Sequence, residues 1–151
     1  MPIIIKGQIY FHYMSDAFHF PQRTALKDFI KGLMKREGKQ VDTINYIFCT
    51  DEYLLTLNKK HLNHNTLTDI ITFEYSTPGE PVLSDIYISV ERVKENASLF
   101  KVSFTKELRR VIFHGALHLC GFKDKAPDQS QLMRKKEKEY LYKWDVSRGT
   151  A

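Results

Sequence analysis

The segment from His114 to Asp124, with the sequence H-G-A-L-H-L-C-G-F-K-D, constrains this chain more than any other stretch. In a helix, His114 and His118 are four residues apart and project from one face, where both can bind one metal ion. Gly121 favours a helix end, so the following loop can return Asp124 to the same ion. Two imidazole nitrogens and a carboxylate oxygen suit zinc, and a site with three protein ligands keeps a position open for chemistry.

The histidine pair alone is weak evidence, because six histidines in 151 residues produce an H-x-x-x-H pair by chance in about one such chain in four. Its setting is stronger, since residues 106–120 carry apolar side chains at helical spacing: Leu108, Val111, Ile112, Leu117 and Leu119. The alternative is that the two histidines pack on a helix face beside an unrelated surface aspartate.

The composition predicts a single globular domain over residues 1–151, with 42% hydrophobic and 27% charged residues. Its apolar runs are too short to cross a membrane, and the first residues lack the features of a secretory signal. We therefore expect a cytoplasmic protein with no membrane association. The net charge of +5 is compatible with a polyanionic partner but does not require one. The charged run 134–139 is more typical of a solvated helix face than of an RNA-binding patch.

Hydrophobic periodicity predicts four strands and five helices. The strands are residues 7–13, 41–49, 69–75 and 83–90, and the helices are residues 22–37, 51–62, 91–98, 106–120 and 128–143. A Thr-Pro-Gly turn at 77–79 predicts that the last two strands form an antiparallel hairpin. The pattern indicates an α+β fold, a four-stranded mixed sheet with helices packed mainly on one face.

Several motifs now point to a known family. Residues 114–122 resemble the signature H-G-x-L-H-L-x-G-Y-D-H of the YbeY family of bacterial rRNA-maturation endoribonucleases, with a zinc helix like that of metalloproteases. Residues 57–58, 68–73 and 83–86 resemble its L-N, T-D-V-L-S-F and L-G-D-I blocks. Met133 and Glu137 fall where the final helix of the family carries Met and Glu. The resemblance spans residues 45–141.

Three departures from the family pattern stand out. Asp124 replaces the third histidine ligand, and Lys123 stands where an aspartate usually precedes it. A register that treats Lys123 as an insertion would put Lys125 at the ligand position, but a lysine ammonium has no lone pair to donate, so Asp124 is favoured. A His₂Asp set should leave bound water less acidic than His₃ would. Leu62 replaces an arginine suited to phosphate contact, and Ser84 replaces a glycine.

The resemblance implies a zinc-dependent hydrolase, a single-strand-specific endoribonuclease with one Zn²⁺ per chain. It implies roles in rRNA maturation, including 3′ end processing of 16S rRNA, and in ribosome quality control. The implied partners are ribosomal RNA and the ribosome or its small subunit. His114, His118 and Asp124 would hold the metal, and no residue is assigned as the general base. Either water or the RNA 2′-hydroxyl can be the nucleophile.

Two further pairs of residues are candidates for the site. Thr68 and Asp69 are predicted to lie in a cleft beside the metal, with Asp69 orienting a histidine ligand. The alternative is that Thr68 begins a strand and Asp69 stabilises a turn. Arg109 and Arg110 precede His114 by about one helical turn, so they either flank the cleft and contact RNA phosphates or are solvated on the helix surface.

Two other functions compete with RNA cleavage. A zinc peptidase of the H-E-x-x-H type has a glutamate as general base after the first histidine, where this chain has Gly115. A ribosome-associated assembly protein would carry a structural metal closed by a fourth protein ligand. The candidates for that fourth ligand are His61, His64, Asp69 and Cys120. Cys120 is turned by about 200° from His118 around the helix, so core packing is favoured for it.

Overall fold

The computed structural model describes residues 7–14, 20–62 and 68–150, apart from the side chain of Leu62. The strands are β1 (Gln8–Tyr13), β2 (Val41–Cys49), β3 (Ile70–Glu74) and β4 (Val82–Ser89). The helices are α1 (Arg23–Arg36), α2 (Asp51–Leu62), α3 (Val90–Phe100), α4 (Phe104–Leu119) and α5 (Pro127–Arg148). Each strand and helix predicted from the sequence is present, in the predicted order.

The four strands form one mixed sheet in the order β1-β2-β4-β3. β2 pairs in parallel with β1 and β4, whereas β3 pairs antiparallel with β4, which confirms the predicted hairpin. Because β3 is the last strand in this order, it lies at an edge of the sheet, where it can border an open cleft. Ser84 of β4, the residue found in place of a glycine, donates from its hydroxyl to the Phe73 carbonyl oxygen of β3 at 2.8 Å.

The two faces of the sheet are covered unequally. Alternate residues of β2, such as Ile44 and Tyr46, are fully buried in a main core that α1, α4 and α5 complete. The opposite face has a smaller cluster in which Leu54 of α2 packs with Cys49 and Ile71. This distribution confirms that the helices pack mainly on one face, and it places α4 against the sheet beside β3.

Helix α4, which carries the two histidines, is fixed at its start and in its middle. The hydroxyl of Ser103 accepts from the backbone N–H of Lys106 at 3.1 Å and caps the first turn. The buried Tyr46 hydroxyl donates to the Ile112 carbonyl oxygen at 2.9 Å, which ties α4 to β2. The helix begins two residues before the predicted start at 106, because Ser103 is its cap.

Gly115 marks the closest approach of α4 to the sheet. A Cβ at this position would be 2.9 Å from Cδ1 of Ile70 and 3.2 Å from Cγ2 of Ile86. Because a larger side chain must displace both isoleucines, we expect Gly115→Val to lower the free energy of unfolding by about 1–3 kcal/mol. Chemical denaturation measures the loss.

The matched control is Gly32→Val in α1, where nothing lies within 4 Å of the added Cβ. The free energy of unfolding of this variant should be unchanged or slightly raised, because glycine is a poor helix former. Equal losses for the two variants would show that close packing at Gly115 is not the cause.

Helix α5 extends five residues beyond the predicted end at 143. Its buried stripe continues to Trp144, and the helix ends at Arg148, before Gly149. Although α5 is 22 residues long, no helix in the described part of the chain combines the length and apolar character that crossing a membrane requires.

Candidate metal centre

Three ligand atoms converge beside β3. His114 and His118 share one face of α4, and their Nε2 atoms are 2.9 Å apart. Oδ2 of Asp124 lies 3.2 Å from Nε2 of His114 and 3.4 Å from Nε2 of His118. The structure thus brings together the three residues that the sequence predicts as ligands.

The spacing of these atoms fits a tetrahedral zinc ion. Ligands about 2.0–2.1 Å from zinc, at tetrahedral angles, are roughly 3.3 Å from one another. The three separations here are 2.9, 3.2 and 3.4 Å. Among the described residues, no other His, Cys, Asp or Glu joins this group within 4.8 Å. The described residues therefore leave a fourth position for water or substrate.

The second nitrogen of each histidine ring is also held. Nδ1–H of His114 donates to Oε2 of Glu137 at 2.6 Å, and Nδ1–H of His118 donates to the carbonyl oxygen of Phe122 at 2.9 Å. A carboxylate and a carbonyl only accept, so they place the ring protons on Nδ1 and leave both Nε2 lone pairs facing the same point. Burial, together with the neighbouring His114, lowers the pKa of His118 and favours its neutral, metal-binding form.

The turn after α4 returns the chain to the histidines. Gly121 has φ of 98°, a conformation that residues with a side chain rarely adopt. Its N–H donates to the His118 carbonyl oxygen at 3.0 Å, and that of Phe122 donates to the Leu117 carbonyl oxygen at 3.1 Å. This closure aims the Phe122 carbonyl at His118 and brings Asp124 over the helix face.

Glu137 lies behind His114 as the centre of a buried charged network. It is only 4% exposed, and its Oε1 accepts from Nη1 of Arg110 at 3.0 Å. Arg110 also donates to both carboxylate oxygens of the buried Glu107 at 2.8 Å each. Burial alone would raise the pKa of Glu137, but the His114 hydrogen bond and the charge of Arg110 outweigh it and lower the pKa. Glu137 therefore stays ionised while it orients His114.

From the sequence, the charged run around Glu137 is expected to be a solvated helix face, and no role is predicted for Glu137. The neighbouring Lys135 and Lys138 are indeed exposed, but Glu137 is buried. The available signal was its spacing, because it continues the apolar stripe of α5 at intervals of four and three residues: Met133, Glu137, Tyr140 and Trp144. A single carboxylate in such a stripe indicates a buried partner.

A cleft of about 590 Å³ opens beside the histidines. Thr68 and Asp69 both line it. Oδ2 of Asp69 accepts from Nδ2 of Asn96 at 3.3 Å and lies 3.9 Å from Nη2 of Arg110. Burial raises the pKa of Asp69, with Arg110 and His114 opposing the shift. The carboxylate that accepts from Nδ1 of His114 is Glu137, so an orienting role for Asp69 stays a prediction.

The two arginines have intramolecular contacts. Arg109 donates from Nε to the Thr105 carbonyl oxygen at 3.3 Å, and its guanidinium lies 5.6 Å from the ring centre of Trp144. Arg110 uses Nε, Nη1 and Nη2 on buried carboxylates and lies behind the cleft. A phosphate contact by either arginine would have to compete with these interactions, and it stays a prediction.

None of the proposed fourth ligands closes the site within the described residues. His61 lies edge-on against Phe73, with ring centres 5.6 Å apart. Sγ of Cys120 is 3.5 Å from Sδ of Met34 in the core, consistent with its predicted packing. Asp69 is outside the 4.8 Å ligand group, and His64 lies outside the described residues.

Comparison with known proteins identifies the family. The family described as Endoribonuclease YbeY matches residues 13–145. The chain belongs to the YbeY family. YbeY relatives named Endoribonuclease YbeY include a Flavobacterium psychrophilum protein, 48% identical over 141 residues, covering 93% of this chain and 99% of the relative. A Bacteroides thetaiotaomicron relative of the same name is 37% identical over 131 residues, covering 85% and 95%.

A solved structure agrees with the YbeY assignment in its fold. A Thermotoga maritima protein solved in solution superimposes with a TM-score of 0.67 at 27% identity, covering 94% of this chain and 92% of its own. The family resemblance seen in the sequence motifs and the predicted α+β fold are both confirmed.

Proposed function

We propose that this chain is a metal-dependent endoribonuclease that acts in ribosomal RNA maturation. The observation that carries the proposal is the convergence of two Nε2 atoms and one carboxylate oxygen, within 3.4 Å of one another, in the wall of an open cleft. Zinc is the proposed metal, one ion held by His114, His118 and Asp124. Family membership supports RNA as the substrate, and the ribosome or its small subunit as the proposed partner.

Individual residues have different roles at this site. When bound, zinc polarises a phosphoryl oxygen and acidifies water. Glu137 and the Phe122 carbonyl keep the histidine lone pairs aimed at one point, so the ligand set is formed in advance. Asp124 is 38% exposed, which keeps this side of the site accessible from solvent. No described residue is assigned as the general base.

The two competing functions have less support. A peptidase would need a glutamate at position 115, but this position faces Ile70 and Ile86 of the sheet and holds a glycine. A purely structural metal would need a fourth protein ligand, and the described residues provide none near the three ligand atoms.

Metal removal and two substrates test the proposal. The zinc-loaded protein should cleave single-stranded RNA; chelation should abolish cleavage, and added zinc should restore it. Casein should remain intact. Zinc-dependent cleavage of casein that His118→Ala abolishes would instead support a peptidase. If His114→Ala still binds the small ribosomal subunit and the wild type cleaves no RNA, an assembly protein with a structural metal becomes the better explanation.

A further inference from the structure

Charge is distributed unevenly around the three ligand atoms. The 590 Å³ cleft is lined by the carboxylates of Asp69, Glu74 and Asp124. Among the described residues that line it, Lys125 is the only one with a positive charge independent of pH near neutrality. An RNA backbone carries one negative charge per nucleotide. A metal ion held by Asp124 would attract the phosphate that is cleaved, whereas the carboxylates of Asp69 and Glu74 disfavour a further phosphate in the rest of the cleft.

A second depression adjoins two of the same ligands, His118 and Asp124. Its volume is about 370 Å³, and it is lined by His118, Lys123, Asp124, Lys125 and Gln129. It shares three residues with the cleft, namely His118, Asp124 and Lys125. These shared residues form the boundary between an acidic depression and a basic one, so the metal position lies where the two meet.

The two lysines of the basic depression are available for an external anion. Both Lys123 and Lys125 are exposed, and neither forms a salt bridge with another residue in the described ranges. Both line the 370 Å³ depression together with Asp124, so a strand that enters the site through this depression meets both residues. Exposed lysines are usually only solvated, but here they border the reaction site.

We propose that Lys123 and Lys125 form a phosphate-binding subsite for single-stranded RNA beside the metal. This subsite holds the backbone phosphate next to the one being cleaved. The acidic cleft that adjoins this subsite receives the uncharged nucleoside, whose base and hydroxyls can hydrogen-bond to Thr68 and Asp69. The inference rests on the proposed function and adds the path of the substrate across the site.

Charge-removing variants test the subsite. Steady-state kinetics on zinc-loaded Lys125→Gln should show KM for single-stranded RNA raised several-fold, with kcat much less changed, because a positioning contact is lost. The double variant Lys123→Gln/Lys125→Gln should show a larger rise. Lys125→Arg should retain most of the binding, since it keeps the charge. The matched control is Lys135→Gln, which removes the same charge from an exposed position on α5 that lines neither depression.

Salt dependence gives a second readout that a merely structural role would not change. The logarithm of the binding constant of a short 2′-O-methyl RNA strand, measured by fluorescence anisotropy, falls with the logarithm of salt concentration. Each lost phosphate contact should reduce that slope by about 0.7 for a single strand. Lys125→Gln should show this reduction, and Lys135→Gln should keep the wild-type slope.

The outcomes separate the two proposals. If the wild type cleaves RNA but Lys125→Gln matches Lys135→Gln in KM and salt slope, the subsite is overturned and the proposed function stands. A change confined to kcat also overturns it. If the wild type cleaves no RNA, the proposed function fails, and the salt slopes for the 2′-O-methyl strand still decide whether the lysines bind phosphate.

Discussion

Asp124→Ala is expected to lose bound zinc while the protein remains folded. Asp124 contributes one of three ligand atoms, so its removal should take away most of the affinity for the metal. Because its side chain is partly exposed, the fold should tolerate the substitution. The loss should exceed the roughly 10–100-fold typical when a residue that only orients a ligand is changed. Metal analysis after gel filtration measures the zinc content, and RNA cleavage should fall with it.

Thermal unfolding provides an independent measure of the same loss. Zinc at 100 times its Kd adds about 2.7 kcal/mol to the stability of a protein that binds it only when folded. Added zinc should therefore raise Tm for the wild type and for the control Asp28→Ala, an exposed aspartate of α1. It should leave Tm of Asp124→Ala nearly unchanged. Zinc content equal to wild type in Asp124→Ala would remove Asp124 from the site.

Asp124→His separates the position from the chemistry of the ligand. Imidazole is also an ordinary zinc ligand, so this variant should retain the metal if position 124 faces the ion. Loss of zinc in both Asp124→Ala and Asp124→His would show that imidazole cannot replace the carboxylate at this position.

Glu137→Ala should weaken zinc binding by about 10–100-fold, although Glu137 is not itself a ligand. The variant removes the acceptor that holds Nδ1–H of His114 and takes one of two carboxylates from Arg110. Because these donors are largely buried, the free energy of unfolding should also fall by about 1–3 kcal/mol in the absence of metal. Competition with a chelating indicator measures the affinity, and chemical denaturation measures the stability.

The control for Glu137→Ala lies two residues away. Glu139 is 44% exposed, and among the described residues its salt bridge is with Lys136, at 3.6 Å. Glu139→Ala should therefore change stability by less than about 0.5 kcal/mol and leave zinc affinity intact. Equal zinc affinities for the two variants would contradict an orienting role for Glu137.

The stability that Glu137 contributes to the fold should also depend on pH. The pKa of Glu137 is lowered in the folded protein, so its ionised form stabilises the fold at neutral pH. That contribution is lost as the pH falls below the range in which free glutamates titrate. The difference in unfolding free energy between wild type and Glu137→Gln, measured without metal, should therefore shrink on acidification.

Local patterns in the sequence were sufficient to predict most of the fold. Periodicity located the strands and helices, and the turn at 77–79 predicted the hairpin, because these depend on neighbouring residues. The ends of the helices were predicted less accurately than their positions. The predicted end of α5 at 143 left out Trp144, whose burial depends on packing against other helices rather than on a local stop signal.

The same distinction between local and distant contacts applies to the candidate site. His114, His118 and Asp124 were predictable because a helix and a short turn bring them together. The partners of these groups come from distant segments, because Glu137 lies 23 positions after His114 and 27 positions after Arg110 in the sequence. The predicted roles of Arg110 and Asp69 could not include these contacts, because spacing along the chain does not show which helix covers α4.

The close packing at Gly115 limits which side chains this position of the chain can carry. A glutamate placed there would start against Ile70 and Ile86, so it could not simply swing towards the metal. A peptidase base at this position would require the side chains of Ile70 and Ile86 to shift as the new carboxylate appeared. The close fit of α4 on the sheet therefore disfavours peptidase chemistry that arises from substitution of Gly115 alone.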